Sequence, residues 1–221
     1  MLYFMVDFEA TCCENDEFNQ SKEGEIIEFG AVLAKADGTI LEEFQTFVKP
    51  VKNPVLTEFC TKLTSITQND VENAPLFSEV AEMMNAFLEK FDGQISMCSV
   101  GEYDYLQLRK QLAELELSAP KLGFNNTGKY TEEALDAFCE KHKEQKLGKG
   151  AYLKTLFGGE KGHYLNLKTL WIDPETGKAN KSRSMRSMLE SRGQQFEGFQ
   201  HRGIDDARNG AKLLPFCKKV K

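Results

Sequence analysis

Residues 2–9 are almost continuously apolar and end at Asp7-Phe8-Glu9. That pattern predicts a central strand, buried on both faces, whose far end opens onto a site. The polar stretch 10–24 reads as a loop. Two further strands are expected over 26–34 and 39–48, joined by the tight-turn sequence Ala36-Asp37-Gly38. Pro50 and Pro54 then break the strand pattern, and short helical pieces follow. Phe77, Val80, Met84, Phe87, Leu88 and Phe91 recur at helical spacing, predicting a helix over 77–91 that Asp92-Gly93 stops. Residues 95–100 form another strand, and Gly101-Glu102-Tyr103-Asp104 leads into a helix bearing Leu108, Leu112 and Leu115. The segment 118–163 reads differently, with Pro120, Gly128, Gly148, Gly150 and Gly158-Gly159 around one helix over 131–146. It is expected to be a helical insertion or lid within a single domain spanning 1–221. A helix near 164–171, a turn at 173–177 and a short helix at 184–191 follow, the last ended by Gly193. The final helix starts near Ile204, with Pro215 bending or ending it. The element order is α/β.

Length and composition narrow the class. A chain of 221 residues, 41% apolar and 28% charged, can bury a sizeable core and fits a soluble globular protein. No apolar run approaches the roughly 20 residues that span a bilayer, so no membrane role is expected. The first six residues are too short and lack the basic start of a signal peptide, so the expected location is the cytoplasm, or the nucleus where the host has one. The six cysteines include no C-x-x-C spacing, so a structural zinc site has little support and reduced thiols are expected. A net charge of −6 argues against a protein that coats nucleic acid. It leaves room for one that grips a strand end through bound cations.

Three acidic clusters carry the candidate chemistry. Strand alternation puts Asp7 and Glu9 on one face, where two buried acids are costly unless paired or metal-bound. Alone, such a pair is more often a solvated strand end. Asp104 follows the end of the 95–100 strand, where α/β sheets place function. It could equally be a helix N-terminal acid, and Glu102 is expected to be a solvated neighbour. His201 precedes the last helix and Asp206 lies five residues later, on it. A lone histidine there is commonly a surface or capping residue. A neutral imidazole beside activated water could instead accept a proton near pH 7. Together, four acids and one histidine suit two-metal phosphodiester hydrolysis, with ions about 3.5–4 Å apart. All-oxygen ligation by Asp7, Glu9, Asp104 and Asp206 favours two Mg²⁺ or Mn²⁺ ions over zinc.

These residues resemble the three motifs of the DEDDh, or DnaQ-like, exonucleases: Asp7-Phe8-Glu9-Ala10-Thr11, Gly101-Glu102-Tyr103-Asp104 and His201-x4-Asp206. Glu25-Ile26-Ile27-Glu28-Phe29, Phe59-Cys60-Thr61-Lys62-Leu63-Thr64 and the run from His201 to Asn209 are similar to the enhanced-RNAi and histone-mRNA 3′ exonuclease branch, near bacterial KapD-like proteins. The resemblance implies a ribonuclease-H-like mixed five-stranded sheet flanked by helices. It also implies that Asp7 bridges both metals, that Glu9, Asp104 and Asp206 complete their shells, and that His201 is the general base. Glu9 would meet the terminal 3′ hydroxyl. Thr11, with Ala10, Phe8 and Arg202, would help seat the last nucleotide, although alternation turns the Phe8 ring to the opposite face. The chain departs from the branch at Val100, where tryptophan is common, at Ser65, which replaces a glycine, and in its long 118–162 segment.

The implied function is a 3′→5′ exonuclease acting on single-stranded RNA or DNA ends, RNA favoured, as a monomer or a homodimer. Two rivals are a nuclease-fold protein that holds 3′ ends without cutting them and a DNA proofreading or repair exonuclease. Lys181, Arg183, Arg186, Arg192, Arg202 and Arg208 form either a solvated face or a phosphate-steering rim. Phe29, Phe44 and Phe47 read as core rather than base-stacking residues, and Glu28 as structural.

Overall fold

The opening apolar run forms β1 (Leu2–Ala10), followed by the short helix α1 (Gln20–Glu23) and by β2 (Ile26–Ala34) and β3 (Ile40–Phe47). The structure is a computed structural model and describes residues 1–15, 17–157, 163–218 and 220. After β3 come α2 (Glu58–Thr64), α3 (Gln68–Glu72) and α4 (Phe77–Glu89), then β4 (Ile95–Ser99) and α5 (Tyr103–Glu114). The remainder holds α6 (Glu132–Lys141), α7 (Lys149–Leu156), β5 (Tyr164–Asn166), α8 (Leu167–Leu170), α9 (Met185–Glu190) and α10 (Gly203–Ala211). Among the described residues no helix is long and apolar enough to cross a membrane.

The five strands form one sheet in the order β3-β2-β1-β4-β5. β1, β2 and β3 pair antiparallel, as the turn at 36–38 requires, whereas β4 and β5 join parallel to β1. This is the mixed sheet expected of the ribonuclease-H-like plan. Every residue of β2 is buried, because helices cover both faces. Alternation along β1 sends Phe4, Val6 and Phe8 into a cluster with Phe29, Phe77, Val80, Met84 and Leu108 under α4 and α5. It sends Tyr3 and Met5 to the other face, with Trp171, Met188, Ile204 and Ala207 under α9 and α10. Each large side chain fully buried in this way contributes about 1.5–3 kcal/mol.

The described part of 118–163 has no separate core. Leu122, Phe124, Tyr130, Leu135, Tyr152, Leu153 and Phe157 belong to the same apolar cluster as α5. Arg109 of α5, fully buried, binds the two together. Its guanidinium lies 4.4 Å from the Phe157 ring centre and donates to the Leu153 carbonyl at 3.1 Å. Gly158-Gly159 and Gly162 lie outside the described residues.

Several boundaries differ from the sequence expectation. The expected helix over 131–146 ends at Lys141, and α7 follows it unforeseen. The expected helix over 164–171 begins as a strand, because the β4 edge captures residues 164–166 and the Met97 amide donates to the His163 carbonyl. The Asn166 side chain then accepts from the Lys168 amide at 3.0 Å and starts α8. α10 stops at Ala211, four residues before Pro215, which sits in the 3-10 turn Leu214–Phe216. Ser65 closes α2 with φ 60, a left-handed conformation that favours glycine.

Candidate active site

The acid pair occupies the C-terminal end of β1, and its geometry depends on glycine. Asp7 is paired across the sheet with Gly30, and Glu9 with Glu28. A register shift between Glu9 and Ala10 ends the regular ladder there, a placement β-bulges often take beside functional sites. Gly30 interrupts an otherwise bulky strand because α10 begins directly upon it. A Cβ at Gly30 would lie 2.0 Å from the Gly203 carbonyl carbon, and a Cβ at Gly203 2.6 Å from the Asp7 carbonyl oxygen. Two backbones thus meet without side chains between them, which lowers the first turn of α10 onto β1. Asp206, in that turn, is brought to the acid pair: carboxylate oxygens of Asp7, Glu9 and Asp206 all lie within 4.8 Å of one another.

The other two candidates join this group by hydrogen bonds. β4 pairs with β1 only as far as Met5, so the Phe8 amide lies beyond the parallel ladder. Asp104, buried in the first turn of α5, accepts that N–H at 3.0 Å. Its carboxylate is not one of the 4.8 Å trio. Glu102 is exposed, as expected. His201 is also exposed and takes a left-handed conformation, φ 62, with its backbone N–H donated to Asp206 Oδ2 at 2.7 Å.

The electrostatics are those of acids crowded together, with burial and like charge dominating. Burial raises the Asp7 carboxyl well above its ordinary value, and Asp104, Asp206 and Glu9 raise it further. Burial, then Asp206 and Glu28, push Glu9 up to about 8. Asp104 and Asp206 are each raised by burial to about 6, opposed by the amide hydrogen bonds from Phe8 and His201 respectively. Buried carboxylates held this close require protons or cations. The all-oxygen donor set fits a hard divalent ion. Asp7, Glu9 and Asp206 would hold it, with Asp104 beside them.

These shifts set a pH dependence. The metal-free folded protein retains protons that the unfolded chain has already released above the ordinary carboxylate range. Its stability therefore falls as pH rises through about 6 for Asp104 and Asp206 and about 8 for Glu9. Metal binds the deprotonated set, so its stabilising effect grows over the same window. In calorimetry from pH 5 to 8.5, the metal-free Tm is expected to decline and the gain from Mn²⁺ to widen. A gain that shrinks with rising pH would contradict this reading.

The expected substrate contacts are placed less favourably. Phe8 does not line the site: its ring is buried on the opposite face, 4.4 Å from that of Phe29. Thr11 is buried, and its hydroxyl oxygen accepts from the Glu25 amide at 3.0 Å, closing the loop between β1 and β2. Ala10 is buried beside it. Arg202 is held by Glu28, at 3.1 Å from Nε. The basic rim is similarly engaged, since Arg183 pairs with Asp173 and Glu175, and Arg208 with Glu43 and Asp205. Arg186 and Arg192 lie over the Phe196 and Phe216 rings, leaving Lys181 exposed. Phe29 and Phe44 are core residues, and Phe47 lies under Arg202. The sequence reading missed the role of Gly30 and Gly203; a glycine inside an apolar strand was the available signal.

A family model described as Exonuclease, RNase_T, matches residues 4–214. The chain belongs to this exonuclease family. It is 34% identical over 215 residues to the 3′-5′ exonuclease eri1 of Schizosaccharomyces pombe, covering 95% of this chain and 65% of that protein. It is 30% identical to human ERI1 exoribonuclease 2, over 95% of this chain and 27% of that protein. The chain thus spans less than two thirds of either relative. Among solved structures, the nuclease domain of 3′hExo, a DEDDh family member bound to rAMP, superposes with a TM-score of 0.59 at 25% identity, covering 96% of this chain and 88% of that one. The family match and the likeness to this DEDDh nuclease domain together place the chain in the branch that its three motifs resemble.

Proposed function

We propose that this protein is a metal-dependent 3′→5′ exonuclease that removes nucleotides from a free 3′ end of single-stranded nucleic acid, RNA in preference to DNA. The observation that carries this reading is the convergence of Asp7, Glu9 and Asp206 within 4.8 Å, at a strand end, in a member of an exonuclease family. The preference for RNA rests on the exoribonuclease name of one relative and the ribonucleotide bound in the related 3′hExo domain.

Asp7, Glu9, Asp104 and Asp206 would hold two Mg²⁺ or Mn²⁺ ions. Such ions, when bound, supply Lewis acidity and offset the charge of the phosphodiester. An imidazole nitrogen of His201 would accept the proton of the attacking water. The Asp206 carboxylate, which fixes the His201 backbone, would keep that ring at the site. Hydrolysis would release a 5′-mononucleotide and leave a new 3′ hydroxyl for the next cycle.

Matched RNA and DNA strands, each with a 3′ hydroxyl or a 3′ phosphate, test the end requirement and the preferred sugar. The hydroxyl-ended RNA is expected to be degraded fastest, with 5′-mononucleotides as products and the phosphate-ended strands resistant. Internal fragments, or faster cleavage of DNA, would contradict it.

A further inference from the structure

Glu28 lies on β2 directly across from Glu9 and is fully buried. A second carboxylate opposite an acid already raised by its neighbours is an unfavourable pairing, and the chain surrounds it with donors. Gln45 Nε2 donates at 2.7 Å, Arg202 Nε at 3.1 Å, Arg202 Nη2 at 3.4 Å and the Gly203 amide at 3.0 Å. Arg202 also lies over the Phe47 ring, 5.5 Å from its centre. Three of the four bonds therefore go to the two residues that follow His201.

That placement bears on His201, whose φ of 62 is one that L side chains adopt at a cost. Such a conformation persists only when its surroundings over-determine it. The His201 amide is fixed by Asp206, and Arg202 and Gly203 by Glu28. We infer that Glu28 is a positioning residue of the site: through Arg202 and Gly203 it helps to set His201 and the first turn of α10 against the β1 acids. Its hydrogen bonds go to Gln45, Arg202 and Gly203, and none of these is one of the site acids. Arg202 thus serves the site by neutralising and anchoring Glu28. The inference rests on the exonuclease reading for its kinetic consequence, but its geometric content stands apart from it.

The test uses Glu28→Gln, which keeps the shape and loses the charge, with Arg202→Gln and the double variant. Because misplacing a catalytic group by about 1 Å can cost about 100-fold, kcat is expected to fall about 10- to 100-fold in Glu28→Gln, with KM within about threefold. The double variant should be no worse than the poorer single one, since both break the same link. Arg202→Lys, which keeps the charge without the planar fork, should recover part of the loss. The second readout needs no turnover. The His201 ring resonances, assigned among three histidines by a His201→Gln difference spectrum, should shift in Glu28→Gln while the fold is retained.

Unchanged kcat and unchanged His201 resonances in folded Glu28→Gln would overturn the inference. So would losses that track Tm alone or that multiply in the double variant. If the wild type itself fails to cleave, the exonuclease reading falls, and the His201 resonances still decide whether Glu28 positions that residue.

Discussion

Asp7→Asn is expected to give a protein that is inactive yet more stable without metal than the wild type. Asp7 is raised well above its ordinary range by burial and by four neighbouring acids, Asp104, Asp206, Glu9 and Glu28, so its charged form is a liability to the metal-free fold. An amide of the same shape removes that liability, and a protein of this size gains about 2–4 °C in Tm for each kcal/mol relieved. The same change removes a charged oxygen from the trio that would hold metal. Turnover on a single-stranded 3′ end should fall by about 10³-fold or more, and the stabilisation by Mn²⁺ should largely vanish. Opposite signs for stability and activity separate a functional acid from a structural one. A variant less stable than wild type in EDTA, with activity within severalfold, would remove Asp7 from the site.

Gly30→Ala is expected to harm stability and activity together. Its Cβ would lie 2.0 Å from the Gly203 carbonyl carbon and 2.2 Å from the Ile204 nitrogen, backbone atoms that cannot turn aside. α10 must lift from β2, at a cost of about 3 kcal/mol, which corresponds to roughly 6–12 °C in Tm. Asp206 moves with α10, so the remaining folded protein should lose about 100-fold in kcat. Gly210→Ala provides the contrast, because its Cβ meets the flexible end of the Met5 side chain, 2.3 Å from Cε, which can rotate. Its loss should be smaller in both measures. Equal losses for the two variants would show that the close approach at Gly30 does not set the site.

The features legible in the sequence are those written in contiguous runs. β1, β2 and β4 announce themselves as apolar stretches, with Asp7, Glu9 and Asp104 at or just beyond their ends, whereas β3, mostly exposed, is marked by the turn before it and Asp206 by the His201 spacing. β5 could not be found, because three residues are too few to show an alternation, and Leu165, Leu167 and Leu170 read as well on a helix. α7 hid among glycines whose local pattern suggests a loop. The arginines show the deeper reason for failure. Arg202 and Glu28 are 174 residues apart, and Arg208 and Glu43 are 165 apart, so no local spacing tells that these cations are already paired. Glu28 reads as structural in the sequence, and its partners Arg202 and Gly203 lie 174 and 175 residues away, beyond the reach of any local pattern.

The central claim is tested most directly by incubating a 5′-labelled single-stranded RNA with the wild-type protein and with Asp7→Asn, in Mg²⁺, in Mn²⁺ and in EDTA. A ladder that shortens stepwise from the 3′ end with either metal, and is absent in EDTA and with Asp7→Asn, is the expected result. An intact strand after incubation with folded, metal-loaded wild-type protein, or a ladder that persists in EDTA, would contradict it.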